Sequence, residues 1–98
     1  MKSGHVYIMA NKHNTVLYTG VTSDLVSRVL QHKEKFYPLS FTAKYNCNKL
    51  LYYEFFQSIE QAIQKEKYIK GKSRTFKERL IEKHNPDYND LWIEINNW

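Results

Sequence analysis

Two tyrosines, an arginine and a glutamate hold the chemical interest of this 98-residue sequence, because the common catalytic templates fail around them. Gly4, Gly20 and Gly71 are the only glycines, which excludes a glycine-rich loop wrapped around a phosphate. There is no helical His-Glu-x-x-His pair. The lone Cys47 has no second thiol for a disulfide or a zinc site and reads as a small, half-buried hydrophobe. His5, His13, His32 and His84 are spread along the chain, and each taken alone reads as structural or solvated. What remains is Tyr7 and Tyr18 in two strand-like segments, Arg28 in a helical segment, and Glu66 inside an apolar helical stripe. A carboxylate in such a stripe is paired, sits at the edge of the core, or faces a cleft. Lys70, one turn further on, supplies the plain alternative of an i,i+4 ion pair.

The charge distribution narrows the partners. The formal net charge is +5. Lys65, Lys67, Lys70, Lys72, Arg74, Lys77 and Arg79 stand against only Glu66 and Glu78, so one segment holds the whole excess. After Asn85 come Asp87, Asp90 and Glu94 with no Lys or Arg. This asymmetry suggests a surface turned to a polyanion, the plain alternative being a solvated basic helix face. No amphipathic segment pairs these charges with a continuous apolar face for a membrane surface. The longest apolar runs, such as Leu50-Leu51-Tyr52-Tyr53, are too short to cross a bilayer. The first residues contain no signal-peptide apolar region, and the expected location is cytoplasmic.

The elements that must position these groups follow from composition and spacing. Residues 5–10 and 15–20 are rich in β-branched and aromatic side chains around the turn-like Asn11-Lys12-His13-Asn14, which predicts a β-hairpin. A symmetric turn would pair Ala10 with Thr15 and set Tyr7 directly opposite Tyr18 on one face. Thr22-Ser23-Asp24 offers helix-capping oxygens before Leu25, Val26, Val29 and Leu30. Residues 34–48 show no period and read as irregular, and Lys49 to Phe56 reads as a third strand. A second helix opens at Ser58, with Gln61 completing a capping box, and closes near Gly71. Its expected core positions are Ile59, Ala62, Ile63, Glu66 and Ile69. A third helix starts at Ser73 and stops before Pro86. The fold class is therefore α+β: a small three-stranded antiparallel or mixed sheet flanked by helices, in the order β-β-α-β-α-α. It forms a single domain over residues 1–98, with a core at 4–86 and a tail at 87–98 that packs back.

The ordered set of short motifs resembles the GIY-YIG nuclease superfamily. His5-Val6-Tyr7 matches the first motif and Tyr18-Thr19-Gly20 the second; Arg28 matches the arginine of the next helix, and Glu66 the glutamate after the third strand. The runs Tyr18 to Leu25 and Ala62 to Gly71 look like the small stand-alone bacterial branch of that family. The resemblance implies that Glu66 holds one divalent cation, Mg²⁺ or Mn²⁺, and that no small-molecule cofactor is needed. It implies that Tyr18 acts as, or assists, the general base on water. Arg28 would contact phosphate oxygens, Tyr7 would hydrogen-bond Tyr18 or the water, and His32 would share the proton transfer. Lys65, Lys67, Lys70, Lys72, Arg74 and Lys77 would bind nucleic acid. Asn85 is the nearest match to an asparagine that several members carry late in the domain.

The expected function is metal-dependent hydrolysis of DNA phosphodiesters, with RNA left open and branched or single-stranded DNA in repair or recombination as the substrate class. The alternatives are a non-catalytic nucleic-acid binder of the same fold, and a protein-interaction module using exposed aromatics. Fold alone does not choose among them.

Overall fold

The run Val6-Tyr7-Ile8-Met9-Ala10 is apolar without alternation, and the structure explains why: this strand is the middle one of the sheet and is covered on both faces. The computed structural model describes residues 2–98, and Met1, the first residue of the expected domain, lies outside them. The elements are β1 (Gly4–Ala10), β2 (Leu17–Thr22), α1 (Leu25–Lys33), α2 (Phe41–Lys44), β3 (Lys49–Phe56), α3 (Ile59–Lys70), α4 (Arg74–His84) and α5 (Trp92–Ile95). The strands run antiparallel in the order β2-β1-β3. One face of β1 presents Val6, Ile8 and Ala10 to Ala62 and Ile69 of α3 and Ile81 of α4. The other presents Tyr7 and Met9 to Leu25 and Val29 of α1, Cys47, and Ile95 of α5.

The hairpin register departs from the symmetric turn. Tyr7 pairs with Gly20, and Tyr18 with Met9, a shift of two residues. The cause is Asn11, whose side-chain oxygen accepts the backbone N–H groups of Thr15 and Val16, at 2.9 and 3.0 Å. Those two residues are thereby absorbed into the loop, with Asn14 in the left-handed region at φ 59°. A shift of two preserves side-chain parity, so Tyr7 and Tyr18 still share a face. A bulge between β1 and β3 has a second effect. Ile8 pairs with Tyr52 but Met9 with Leu50, leaving Leu51 extra. Leu51 and Tyr52 thus both join the α3/α4 core, while Leu50 joins the α1 core.

Local signals set most helix starts. Asp24, Ser40, Ser58 and Ser73 each accept a backbone N–H in the first turn of the helix they precede. Four further differences from the sequence reading have physical causes. Residues 34–48 contain α2, whose four residues are too few to show a period. Ile63 is exposed, because α3 buries the narrower stripe of Ala62 and Ile69 with Ile59 partly covered. Of the expected capping box only the arm from the Gln61 N–H to Ser58 is made, and the Ser58 hydroxyl itself donates to Glu60. Cys47 is fully buried rather than half-buried, and burial pushes its thiol pKa up.

Asp90 ties the C-terminal segment to the sheet. It accepts the Leu50 and Trp92 N–H groups, and Lys33 Nζ approaches to 2.6 Å, while the Leu91 N–H donates to the Leu50 carbonyl at 2.7 Å. Removing a carboxylate that holds two backbone donors costs about 1–3 kcal/mol. Asp90→Ala is therefore expected to lower the unfolding free energy by that amount, read as a lower urea midpoint with an unchanged slope. An unshifted midpoint would contradict this account of the tail.

Candidate active site

Gly20 is the backbone feature on which this region turns. A Cβ there would lie 2.5 Å from both Cζ and Oη of Tyr7, so the Tyr7 ring occupies the space a side chain would take. The ring lies across β2 at the sheet edge, and its hydroxyl reaches α1, meeting Nε2 of His32 at 2.8 Å. Nδ1 of His32 lies 2.8 Å from Thr42 Oγ1, which is 3.2 Å from Ser40 Oγ. The hydroxyl of Tyr7 thus bonds to His32 and not to Tyr18.

Burial fixes the protonation of this chain of groups. Tyr7 is 1% exposed, and desolvation raises its pKa well above the usual phenol range. The Tyr18 hydroxyl and the Glu66 carboxylate push the same way, while the Arg28 guanidinium opposes them. Burial, and then the charge of Arg28, lowers the His32 pKa to about 4. Tyr7 accordingly stays a phenol that donates to a neutral imidazole. The remaining ring N–H, on Nδ1, then donates to Thr42.

Tyr18 stands beside this pair and is partly exposed, with ring centroids 6.3 Å from Tyr7 and 5.5 Å from His32. Phe41 covers its outer side at 5.9 Å and 29°. Arg28 donates to Gln31 at 3.0 Å and lies 5.5 Å from the Tyr37 ring centroid. Glu66 approaches from α3, on the other layer; its side chain is 14% exposed and its carboxylate lies 3.1 Å from Lys70 Nζ. The plain ion pair foreseen for Glu66 is therefore present. Lys70 is half exposed, so that pair is solvent-screened and readily exchanged. The structure brings Tyr7, Tyr18, Arg28 and His32 together at the β2 edge, with Glu66 acting on Tyr7 from the facing helix.

The basic residues divide. Lys70 and Lys77 line one pocket with Leu17, Tyr18, Thr19 and Phe41. Lys72 lies 4.5 Å from the Tyr68 ring centroid, and Lys67 is exposed on α3. Lys65 lies 4.0 Å from Glu54, on the β3 side. Arg74 is engaged within the fold: it donates to the carbonyls of Asn14 and Thr15 and to Glu78, clamping the hairpin loop. Asn85 is a joint rather than a site group. It is buried and bonds the Leu51 and Asn89 carbonyls and the Asn89 N–H. Sequence reasoning missed Thr42, Ser40 and Phe41, whose only local signal was a serine able to cap a helix of one turn.

The donor set decides what metal could fit. Among the described residues no group of three or more His, Cys, Asp or Glu side chains converges. A protein-caged ion of the zinc type is not served by such a set. A hard cation that keeps most of its waters needs one or two carboxylates, which Glu66 can supply.

Known proteins resemble this chain in sequence and in fold. Residues 3–80 match the family model described as the GIY-YIG catalytic domain. The chain is 33% identical over 87 residues to a UPF0213 protein of Syntrophus aciditrophicus (strain SB), covering 89% of this chain and 98% of that one. It is 34% identical over 96 residues to a UPF0213 protein of Clostridium perfringens (strain 13 / Type A), covering 94% and 97%. The solution NMR structure of a UPF0213 protein from Bacillus halodurans superimposes with a TM-score of 0.57 at 28% identity, covering 91% of this chain and 93% of that one.

The buried imidazole has a measurable signature. The folded pKa lies below the ordinary 6.5, so on acidification the unfolded chain takes up this proton first. His32 therefore subtracts stability as pH falls from 6.5 towards 4 and contributes no pH dependence above 6.5. An NMR titration of the His32 ring protons is expected to give a midpoint near pH 4. A midpoint at 6.5 or higher would contradict the buried Tyr7–His32 pair.

Proposed function

The chain belongs to the GIY-YIG catalytic-domain family, and on that premise we propose that it is a metal-dependent endonuclease hydrolysing DNA phosphodiesters. The observation that carries this reading is the hydrogen bond from the buried Tyr7 phenol to a neutral His32, beside the partly exposed Tyr18. It is a proton-handling group at the rim where Lys70 and Lys77 can receive a phosphate backbone.

In the proposed reaction the oxygen of a water bonds to phosphorus as the ester P–O bond breaks. Tyr18 takes, or helps to take, the proton of that water. A neutral phenol is a weak base, so the proton needs an outlet. Tyr7, which bonds His32 and not Tyr18 directly, would supply one through a bridging water, passing its own proton to His32 Nε2 as it receives another, which leaves neither phenol ionised. Arg28 depresses the His32 pKa in the free protein. A phosphate bound to Arg28 would offset that charge and make His32 a better acceptor when substrate is present. The guanidinium also suits bidentate contact with the phosphate oxygens. The leaving oxygen takes its proton from solvent. A bound Mg²⁺ or Mn²⁺ would be held at Glu66, after exchange with Lys70, and would stabilise charge on the phosphate and the leaving oxygen.

The second reading, a nucleic-acid binder without catalysis, is favoured by one observation, the Glu66–Lys70 pair. On that reading the carboxylate serves the fold and the basic rim does the work. DNA repair or recombination is the process we propose for the nuclease, and the cytoplasm its place. The described residues contain no helix long and apolar enough to cross a membrane.

The two readings separate in one assay, with Mg²⁺ or Mn²⁺ and duplex, single-stranded and branched DNA. The nuclease reading expects metal-dependent nicking that falls about 10²-fold or more in both Tyr18→Phe and Glu66→Ala. DNA binding should persist in both variants and weaken steeply with salt. Absence of cleavage by the wild type, with that binding intact in all three proteins, would transfer the conclusion to the binder.

A further inference from the structure

Between Glu34 and Glu54 the chain contains no acidic residue, and within that stretch lies a run of large apolar side chains left in solvent. Phe36, Tyr37, Leu39, Phe41 and Tyr45 are all exposed, Leu39 almost completely at 98%. Single exposed hydrophobes are ordinary, but five of them within ten residues of one segment point to a binding surface. α2, at the centre of the segment, buries only Thr42 and Ala43, while its Phe41 and the Tyr45 that caps it are exposed. The rings form pairs, Phe36 with Tyr37 at 4.9 Å and Phe41 with Tyr45 at 4.7 Å. Cations are interleaved with them: Arg28 lies 5.5 Å from the Tyr37 centroid, and Lys44 lies 5.4 Å from that of Tyr45. Phe41 belongs to both regions, stacking on Tyr18 and lining the same pocket as Lys70 and Lys77.

From this geometry we infer that the segment from Phe36 to Tyr45 is a stacking platform for unpaired bases. The substrate class of the adjoining site is then single-stranded DNA, including the unpaired arm of a branched molecule. Two features favour this occupant over an apolar protein surface. The interleaved positive charge suits a phosphate backbone, and the platform continues into the lysine rim beside Tyr18. A duplex keeps its base faces covered by stacking and offers the platform nothing, whereas an unpaired strand presents a π-face at every nucleotide. Phe41 is the specificity-determining residue, seating the base next to the phosphate that lies before Tyr18. The position of that phosphate rests on the nuclease reading; the platform itself is tested by binding alone.

The experiment measures fluorescence anisotropy in EDTA, where no cleavage can occur, with the full chain. The labelled probes are a short single strand, the same strand with abasic sites at its centre, and its duplex. Wild type is expected to bind the intact strand about tenfold more tightly than the abasic one. Phe41→Ala is expected to lose that margin, binding both strands equally, while its duplex affinity stays within about twofold. Phe41→Leu keeps an apolar side chain against Tyr18 and should show the same loss, which separates stacking from a folding defect. Equal affinity of wild type for intact and abasic strands would overturn the platform. So would Phe41 variants that weaken duplex and single strand alike. Base-dependent binding without cleavage in Mg²⁺ would leave the platform standing and remove the nuclease reading. Cleavage combined with indifference to abasic sites would do the reverse.

Discussion

The phenol of Tyr7, laid over Gly20 and ending on His32, is the contact from which the candidate site is assembled. It joins the hydrogen-bonded middle and edge strands to the first helix, which otherwise packs on them through apolar side chains. Neither polar end can be given up cheaply, since an unpaired buried donor or acceptor costs about 1–3 kcal/mol. An alanine at 20 would need the space the ring already fills. The same contact fixes the protonation of the site, because burial keeps the phenol protonated and the imidazole neutral. Structure and chemistry are thus set by one close approach of a side chain to a glycine backbone.

Around that contact the sheet edge gathers groups from both layers. Arg28 and His32 come from α1, while Glu66, Lys70 and Lys77 come from the α3/α4 layer. Only the edge of the sheet can be reached from both sides, so β2, the strand that carries Tyr18 and Gly20, is where they meet. The opposite edge is occupied otherwise: Asp90 and Leu91 fasten the C-terminal segment to Leu50 of β3. Only part of the basic charge faces the site. Arg74 is committed to the hairpin loop and Lys65 leans towards Glu54, leaving Lys70 and Lys77 at the rim.

The residues at the centre of the site were legible in the sequence, while the contacts between them were not. Tyr7, Tyr18, Gly20, Arg28 and Glu66 could be found through the resemblance to the family's ordered motifs, and the elements that carry them through local propensity. The hairpin register could not, because it depends on two hydrogen bonds accepted by the Asn11 side chain, and a turn of different length fits the same residues equally well. The shared face of the tyrosines survived only because the slip was even. The strands, α1, α3 and α4 followed their patterns closely. α2 did not show, being a single turn. Thr42, the partner of His32, lies ten residues beyond it, across the turn that separates α1 from α2. Arg74 looked like its neighbours in the basic run, since charge counting cannot tell a cation that clamps a loop from one that meets a ligand.

We propose that nucleic acid meets this protein along the β2 edge, before Tyr18 and Arg28. The most direct measurement is an NMR titration of the ¹⁵N-labelled chain with a single-stranded phosphorothioate oligonucleotide in Mg²⁺. The account predicts that the largest amide shifts fall at Thr19, Gly20, Arg28, Phe41 and Lys70, with little change around Phe55 and Trp98. Shifts centred on Phe55 and Trp98, or spread evenly over the basic face of α3 and α4, would contradict it.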